Sequence, residues 1–204
     1  MYIWVMPGLT IKNCPNISDL SPLEDLKELE MVGITWIRRA QRLWDMSKNP
    51  ALWSFFCTDS KKLAYDPDGL RGAENLRNVK ICGPLSEGTY PMRSLECFAD
   101  IPTLEKLVLY FIKPEDRSTA FLSTLPALRQ FDFDPGMFTT EEIARIVAQY
   151  PELSGEHLCA YAGSSVDVRV SGYRKPTLSL PEGQKRLEKY TAEFNALVEK
   201  YKSE

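Results

Sequence analysis

The chain has 204 residues, 44% of them hydrophobic, and its 25 basic and 28 acidic side chains give a net charge of −3. This length predicts one domain, or one elongated array, that buries roughly 70% of its unfolded surface. No segment concentrates lysine and arginine, which argues against nucleic acid as the main partner. The apolar start YIWVM is too short for a signal sequence or a membrane span. We therefore expect a soluble cytoplasmic protein that does not attach to membranes.

The five cysteines do not suggest disulfides or zinc. They are scattered, odd in number and never in a CxxC arrangement: Cys14, Cys57, Cys82, Cys97 and Cys159. This usage is typical of reduced, mostly buried thiols in a cytosolic protein, and we expect no cofactor.

An apolar pattern recurs along the chain: an apolar residue, two variable residues, an apolar residue, one variable residue and an apolar residue. The triplets that match it are Leu26, Leu29, Met31; Leu52, Phe55, Cys57; Leu76, Val79, Ile81; Leu104, Leu107, Leu109; and Leu128, Phe131, Phe133. The series begins at Met6, Leu9 and Ile11 and ends in a degraded copy at Leu153 and Leu158. The last two residues of a triplet share one face of a short strand, and stacked copies would bury them as a ladder.

The first copy, LTIKNCPNISDLSPLEDLKEL at 9–29, resembles the leucine-rich repeat family with its LxxLxLxx(N/C) pattern. It is similar to short bacterial and phosphatase-regulator-type repeats. The resemblance implies an α/β solenoid of about six to seven irregular repeats over residues 6–160, with a parallel sheet on the concave face and helices and loops on the convex face. The Asn/Cys position departs from the family after the first copy. It is Cys14 there, and then Ile34, Ser60, Pro84, Ile112 and Gly136.

Helices are predicted on the convex side between the strands. The segment 36–46 places five apolar residues on one helical face: Trp36, Ile37, Ala40, Leu43 and Trp44. Thr139 and Glu142 form a capping box that opens a second helix. Four prolines lie two residues before a leading leucine, and each is expected to stop the preceding segment and begin the approach to a strand. They are Pro50, Pro102, Pro126 and Pro151.

The pattern changes after residue 160, which predicts an array over 1–160 and a C-terminal cap over 161–204. Val166, Val168 and Val170 alternate with polar residues as in a strand, and TLSL at 177–180 returns as a second strand. A terminal helix follows, with an apolar face at 3–4 spacing. Its members are Leu187, Tyr190, Phe194, Leu197 and Tyr201. We expect this tail to seal the end of the array in a monomer; the alternative is a dimer seam through the helix.

Two pairs of residues could support catalysis. His157 and Cys159 could point from one face of a strand, and Asp132 and Asp134 flank Phe133 and could project together. We interpret the first pair as structural and the second as a solvated acidic patch. No nucleotide-binding, esterase or metalloprotease motif occurs, and DPDG at 66–69 is interpreted as a turn. The sequence thus predicts no enzyme and no metal site, with a hydrolase that uses one of these pairs as the alternative.

A partner would meet the residues between the core positions, which line the sheet face of a repeat array. The predicted binding residues are Glu28, Glu30, Phe56, Lys80, Lys106, Val108, Tyr110, Asp132 and Asp134. Aromatic residues within a charged rim are typical of a protein interface. We therefore predict a non-catalytic module that binds a protein partner. The family resemblance implies a more specific alternative, an immunity protein that masks a bacterial toxin.

Overall fold

The computed structural model describes residues 8–84 and 88–203 and divides the mixed α/β chain into two compact units. Unit 1 comprises residues 1–128 and unit 2 comprises residues 129–204. Met6, where the apolar series was predicted to begin, lies outside the described residues. The predicted boundary between an array and a cap at residue 160 stays a prediction.

The described strands of unit 1 form two parallel sheets. They are β1 (Gly8–Lys12), β2 (Met31–Thr35), β3 (Ser54–Thr58), β4 (Asn78–Cys82), β5 (Tyr90–Met92), β6 (Lys106–Tyr110) and β7 (Ile112–Pro114). Within unit 1 the larger sheet runs β1-β2-β3-β4-β6, and β5 pairs with β7 in a small sheet of their own. Each strand of the larger sheet pairs with the next strand of that sheet along the chain, and β5 is passed over between β4 and β6. This order is expected when similar units stack in sequence order.

The strand register confirms that equivalent apolar positions stack in unit 1. The central row of the core is Leu9, Val32, Phe55, Val79 and Leu107. Two residues further on, a second row consists of Ile11, Ile34, Cys57, Ile81 and Leu109. From β2 to β6 all these side chains are buried. Since residues two apart share one face of a strand, each strand contributes two side chains to one continuous ladder.

The predicted alignment of the second copy is wrong by three residues. The prediction placed Leu26, Leu29 and Met31 in the core, whereas the structure uses Leu29, Val32 and Ile34. Leu26 is 44% exposed, because it lies in the turn that precedes Leu29. The corrected central positions of β1 to β6 are 23, 23, 24 and 28 residues apart. This spacing is more even than the predicted one and could have located the strand.

The same tight turn precedes β2, β3, β4 and β6, and a fifth copy closes unit 1. In each turn a leucine N–H donates to the carbonyl oxygen three residues earlier, over 3.0 to 3.2 Å. The leucines are Leu29, Leu52, Leu76, Leu104 and Leu128. Pro50, Pro102 and Pro126 occupy the second position of three of these turns. Proline favours that position because its ring already sets the required φ. The predicted role of these prolines is confirmed.

Short helices occupy the loops of unit 1, but most are 3₁₀ turns. They span Ser21–Asp25, Met46–Lys48, Asp68–Leu70, Glu96–Phe98 and Ala120–Thr124, and α1 spans Lys61–Tyr65. The helix predicted over 36–46 is wrong. Trp36 follows β2 with a left-handed φ of 60° and is 49% exposed. The N–H of Ile37 donates to the Ser60 hydroxyl over 3.1 Å. The chain therefore leaves the strand through an irregular segment, in which Ile37, Ala40 and Trp44 are still buried.

A buried asparagine joins two successive loops of unit 1. The amide nitrogen of Asn49 donates to the carbonyl oxygens of Leu23 and Leu26 over 2.8 and 2.9 Å. Its amide oxygen accepts the indole N–H of Trp44 over 2.7 Å. A buried amide with these partners connects elements that are more than 20 residues apart, and sequence reasoning missed it.

Ser60 performs a similar task at the position where the family pattern has asparagine or cysteine. Its fully buried hydroxyl accepts the Ile37 N–H and donates to the carbonyl oxygen of Thr58 over 3.0 Å. The departure from asparagine at this position is therefore offset by the serine, because a hydroxyl can both accept and donate a hydrogen bond.

Unit 2 contains a different arrangement of elements. They are β8 (Gln130–Phe133), α2 (Thr140–Gln149), β9 (Tyr161–Gly163), β10 (Asp167–Val170), β11 (Thr177–Ser179) and α3 (Gln184–Lys202). The central β10 pairs antiparallel with β9 and β11, and α2 packs against α3. The predicted returning strand and terminal helix are confirmed. The capping box is also present: the Glu142 N–H donates to the Thr139 hydroxyl over 3.2 Å, and the Thr139 N–H donates to the Glu142 carboxylate over 2.6 Å.

The core of unit 2 includes one face of its antiparallel sheet. Val168, Val170 and Leu178 pack with Leu187 of α3, and Tyr190 packs against this cluster. Val166 was predicted to share the face but is exposed, because it precedes β10 at a bend. Further along α3, the ring of Tyr201 lies 4.7 Å from the guanidinium of Arg145 on α2. None of the helices within the described ranges is long and apolar enough to cross a membrane.

Candidate functional site

The outward sheet face of unit 1 consists of the strand residues that alternate with the core ladder. Three rows cross β1, β2, β3, β4 and β6. They are Gly8, Met31, Ser54, Asn78, Lys106; Thr10, Gly33, Phe56, Lys80, Val108; and Lys12, Thr35, Thr58, Cys82, Tyr110. Of the predicted binding residues, the register brings five onto this face: Phe56, Lys80, Lys106, Val108 and Tyr110.

The ring of Phe56 lies across the neighbouring strand at Gly33. A Cβ atom placed on Gly33 would be 1.8 Å from Cζ of Phe56 and 2.4 Å from each Cε atom. The ring therefore fills the space that a side chain on β2 would need, and only glycine admits it. Phe56 is half-buried, so one part of the ring is held against the sheet while the rest stays accessible. Sequence reasoning found Phe56 but missed Gly33.

Phe56, Lys80 and Val108 are neighbours in the middle row. Lys80 is exposed, whereas Val108 is only 6% exposed. The prediction that Val108 meets solvent is therefore wrong, although its position on the outward row is as predicted. Lys106 and Tyr110 flank Val108 on the outer rows, and both are half-buried. The middle of the face thus combines a partly accessible aromatic ring with an exposed ammonium group.

Glu28 and Glu30 do not belong to the outward sheet face. Glu28 lies in the turn before β2 and Glu30 follows that turn, so both precede the first strand residue. Both glutamates lie outside the face because β2 is shifted by three residues from the predicted strand. Their predicted places are taken by Met31 and Gly33. Sequence reasoning therefore assigned two carboxylates to a face that carries an apolar side chain and a glycine.

Two threonines close the face at the carboxyl ends of β2 and β3. The hydroxyl oxygens of Thr35 and Thr58 are 3.0 Å apart and share a hydrogen bond. This cross-strand pair ties the end row together and leaves both side chains half-buried. Neither threonine stood out in the sequence, because the contact depends on the register of β2.

In unit 2, Asp132 is buried and does not form a solvated patch. It is 8% exposed, and its carboxylate accepts the Glu156 N–H over 3.0 Å and the side-chain amide of Gln130. Asp134 is half-buried. The predicted solvated acidic pair is therefore wrong for Asp132, because its oxygens hold local backbone and side-chain donors. Such bonds are typical of a structural carboxylate.

His157 and Cys159 lack the electrostatics of a catalytic pair. His157 is 7% exposed, and burial lowers its pKa below 6.5, so the imidazole is neutral at physiological pH. Burial raises the pKa of Cys159, whose thiol donates to the carbonyl oxygens of Glu156 and Tyr161 over 3.2 and 3.0 Å. An activated cysteine needs a lowered thiol pKa beside an imidazolium, and both shifts here run in the opposite direction.

Two further thiols are buried in the core of unit 1. Burial raises the pKa of Cys57 to about 12 and also raises that of Cys97. Both therefore stay protonated. The other three cysteines are half-buried, so the prediction of mostly buried thiols is correct for Cys57 and Cys97 only.

DPDG at 66–69 belongs to an ion-paired loop. Arg93 contacts Asp66 over 3.0 Å, and Arg71 contacts Asp68 over 2.9 Å and also Asp100. Asp66, Asp68, Arg71 and Arg93 line a small open cavity of about 170 Å³. In residues 8–84 and 88–203, no group of three or more His, Cys, Asp and Glu side chains could hold a metal ion. The paired carboxylates support the turn interpretation.

No family model matches the sequence, and no curated protein matches it. One solved structure with a partial likeness is the crystal structure of an internalin (inlF) from Listeria monocytogenes, at 10% sequence identity and a TM-score of 0.38. The alignment covers 74% of this chain, and the chain spans 59% of that internalin.

Proposed function

We propose that the chain is a non-catalytic protein-binding module of the leucine-rich repeat type and that the outward sheet face of unit 1 is its binding surface. The position of Phe56 is the observation that carries the proposal. Its ring is seated on Gly33 in the middle of five parallel strands and remains partly accessible. Large aromatic side chains in such central, well-packed positions are the usual anchors of protein interfaces.

The surroundings of Phe56 support recognition by a preformed surface. Main-chain hydrogen bonds order the strands before any partner binds, so docking would cost little conformational entropy. Lys80 and the Thr35–Thr58 pair provide polar groups around the ring. An apolar centre with a polar rim is the common composition of a protein interface.

The chemistry of unit 2 supports a binding role over hydrolysis. The hydrolase alternative depends on His157 with Cys159 or on Asp132 with Asp134. A neutral buried imidazole, a protonated thiol and an internally bonded Asp132 carboxylate favour structural roles. His157→Ala should therefore leave any hydrolase activity of the purified protein unchanged.

A cytoplasmic monomer is the setting we propose for this function. Cys57 and Cys97 are thiols, as expected in a reducing compartment. The apolar face of α3 contacts other parts of unit 2 at Leu187 and Tyr190. Packing within one chain therefore accounts for the 3–4 spacing of the apolar residues on α3, and a dimer interface is not needed to explain it.

The direct test is capture of the partner by variants of the face. The tagged wild-type chain, Phe56→Asp and Tyr110→Asp are each incubated with a lysate of the source cells, and the retained proteins are quantified by mass spectrometry. We expect a protein that the wild type retains and both variants lose. Tyr65→Asp is the matched control, because Tyr65 is an exposed aromatic on α1, outside the face.

Circular dichroism and thermal unfolding of each variant check that the fold is intact. If Phe56→Asp unfolds, Phe56→Ser replaces it as the milder change. Retention of the same partner by both folded face variants would show that the outward sheet face is not the binding surface.

A further inference from the structure

The charged residues on the outward sheet face all have one sign. The three rows contain Lys12, Lys80 and Lys106, and they contain neither aspartate nor glutamate. In the predicted alignment the face was mixed, because Glu28, Glu30, Asp132 and Asp134 were counted among its residues. The observed register of β2 removes the two glutamates, and the two aspartates belong to unit 2. The charged groups in the rows of β1 to β6 are therefore lysines, on a chain whose net charge is −3.

These lysines are not neutralised by neighbouring carboxylates. No described Asp or Glu forms an ion pair with Lys12, Lys80 or Lys106. Elsewhere in unit 1, Arg71 and Arg93 are paired with aspartates. At the edge of the face, Arg77 and Glu105 pair with each other over 3.6 Å. The lysines of the face therefore differ from Arg71, Arg77 and Arg93, because no described carboxylate pairs with their ammonium groups.

The available charge lies directly beside the aromatic anchor. Lys80 occupies the strand position next to Phe56 in the middle row, and neighbouring strands are about 4.8 Å apart. On the next strand, Lys106 lies in the row beside that of Val108. A partner that contacts the ring of Phe56 is thus within reach of at least one lysine, and its own charges decide whether the contact is favourable.

We propose that the partner presents an acidic protein segment, in which an apolar side chain packs on Phe56 while flanking carboxylates pair with Lys80 and Lys106. The inference rests on the proposed function and names the chemistry of its partner. Such complementarity mainly raises the association rate and excludes wrongly charged partners. A protein segment fits better than nucleic acid, because the whole chain is acidic, with a pI of about 5.4, and would repel a long polyanion.

The experiment selects short random peptides displayed on phage against the purified full-length chain. We expect selected peptides to combine an aromatic or aliphatic residue with two or more acidic residues. Binding of a fluorescein-labelled selected peptide should then weaken by more than about tenfold in the double variant Lys80→Glu/Lys106→Glu, and it should weaken with rising salt concentration.

Two variants make the result specific. Lys61→Glu/Lys62→Glu makes the same change in net charge on α1, outside the face, and should bind the peptide as the wild type does. Lys80→Gln/Lys106→Gln removes the charges without introducing carboxylates, and it replaces the double reversal if that variant does not fold.

The outcomes separate this inference from the proposed function. If the selected peptides require Phe56 but are neutral or basic, the acidic partner is wrong and the protein-binding role still holds. The same conclusion follows if their affinity is unchanged by the lysine substitutions. If no peptide is selected, or if Phe56→Asp does not weaken peptide binding, the result counts against both the acidic partner and the proposed function. Binding of a labelled single-stranded oligonucleotide at the same protein concentration, lost on lysine reversal, would overturn the inference in favour of nucleic acid.

Discussion

Unit 1 and unit 2 bury their cores in different ways. In unit 1 each parallel strand adds equivalent residues to a ladder, for example Val79 and Ile81 on β4 beside Leu107 and Leu109 on β6. In unit 2 the antiparallel sheet of β9, β10 and β11 packs on the long helix α3, and the residues of that cluster lie outside the repeated apolar pattern. A repeated position can be recognised by comparing copies within one sequence, whereas a unique packing contact offers no copy to compare. The four predictions below test this difference, beginning with the largest expected effect.

Truncating a repeated core leucine of unit 1 should weaken unit 1 more than unit 2. Leu104 is fully buried at the end of the turn before β6, and Leu104→Ala should lower the free energy of unfolding by about 3 kcal/mol, because it leaves a cavity among its neighbours. Leu178→Ala is the matched change in β11. In hydrogen exchange, each of the two substitutions should reduce the protection of backbone amides mainly in the unit that carries it. Equal loss in both units would contradict the comparison.

Asn49 should contribute more than an exposed asparagine of the same unit. Asn49→Ala leaves the buried Trp44 indole N–H and the carbonyl oxygens of Leu23 and Leu26 without their partner. We therefore expect the free energy of unfolding in urea to fall by about 2 kcal/mol. Asn75→Ala is the control, because Asn75 is exposed and makes one bond to the Pro50 carbonyl oxygen. A similar loss for both substitutions would argue against the role assigned to Asn49.

Acidification should weaken unit 2 through His157. Burial lowers its pKa in the folded state below the ordinary 6.5, so the unfolded chain takes up a proton first as pH falls. Stability is therefore retained above pH 6.5 and declines as pH falls from there towards the folded pKa. His157→Gln should remove this part of the decline, as measured by thermal unfolding between about pH 7.5 and 5.5. Identical pH profiles for both proteins would exclude His157 as the cause.

Gly33→Ala should displace the Phe56 ring with only a small change in stability. The new Cβ would meet the far end of a side chain that can rotate, so we expect a loss of about 1 kcal/mol. Nuclear magnetic resonance signals of the Phe56 ring should shift, and partner binding should weaken. Gly69→Ala is the contrast, because its Cβ would lie 2.2 Å from the main-chain oxygen of Trp44, which cannot rotate away. An unshifted Phe56 ring in folded Gly33→Ala would contradict the contact.

The local spacing of residues was sufficient to predict many of the strands, turns and helices. Apolar residues two apart identified β3, β4 and β6, prolines identified three of the turns, and Thr139 with Glu142 identified the start of α2. These signals depend on neighbours in the chain, so one sequence contains them. The predicted helix at 36–46 failed for the opposite reason. Its spacing was helical, but the left-handed Trp36 and the bond from Ile37 to Ser60 depend on the next repeat.

The residues of the candidate site were harder to predict from the sequence than the strands, turns and helices, because the site depends more on tertiary structure. Phe56 could be recognised as an outward aromatic, but Gly33, which seats its ring, belongs to a different strand and follows no local signal. Asp132 was recognised as the residue between two core phenylalanines, yet its burial depends on donors from Gln130 and Glu156. Such contacts join residues that the sequence does not place together.

The sequence alone thus determined the alternation of core and outward residues and the chemical types available to a partner, because alternation is a local property of an extended chain. Only the tertiary structure decided which outward residues share a face. A shift of three residues in β2 removed Glu28 and Glu30 and left Lys12, Lys80 and Lys106 as its charged groups. The register depends on hydrogen bonds between strands 23 or more residues apart, and it removes both glutamates from the face.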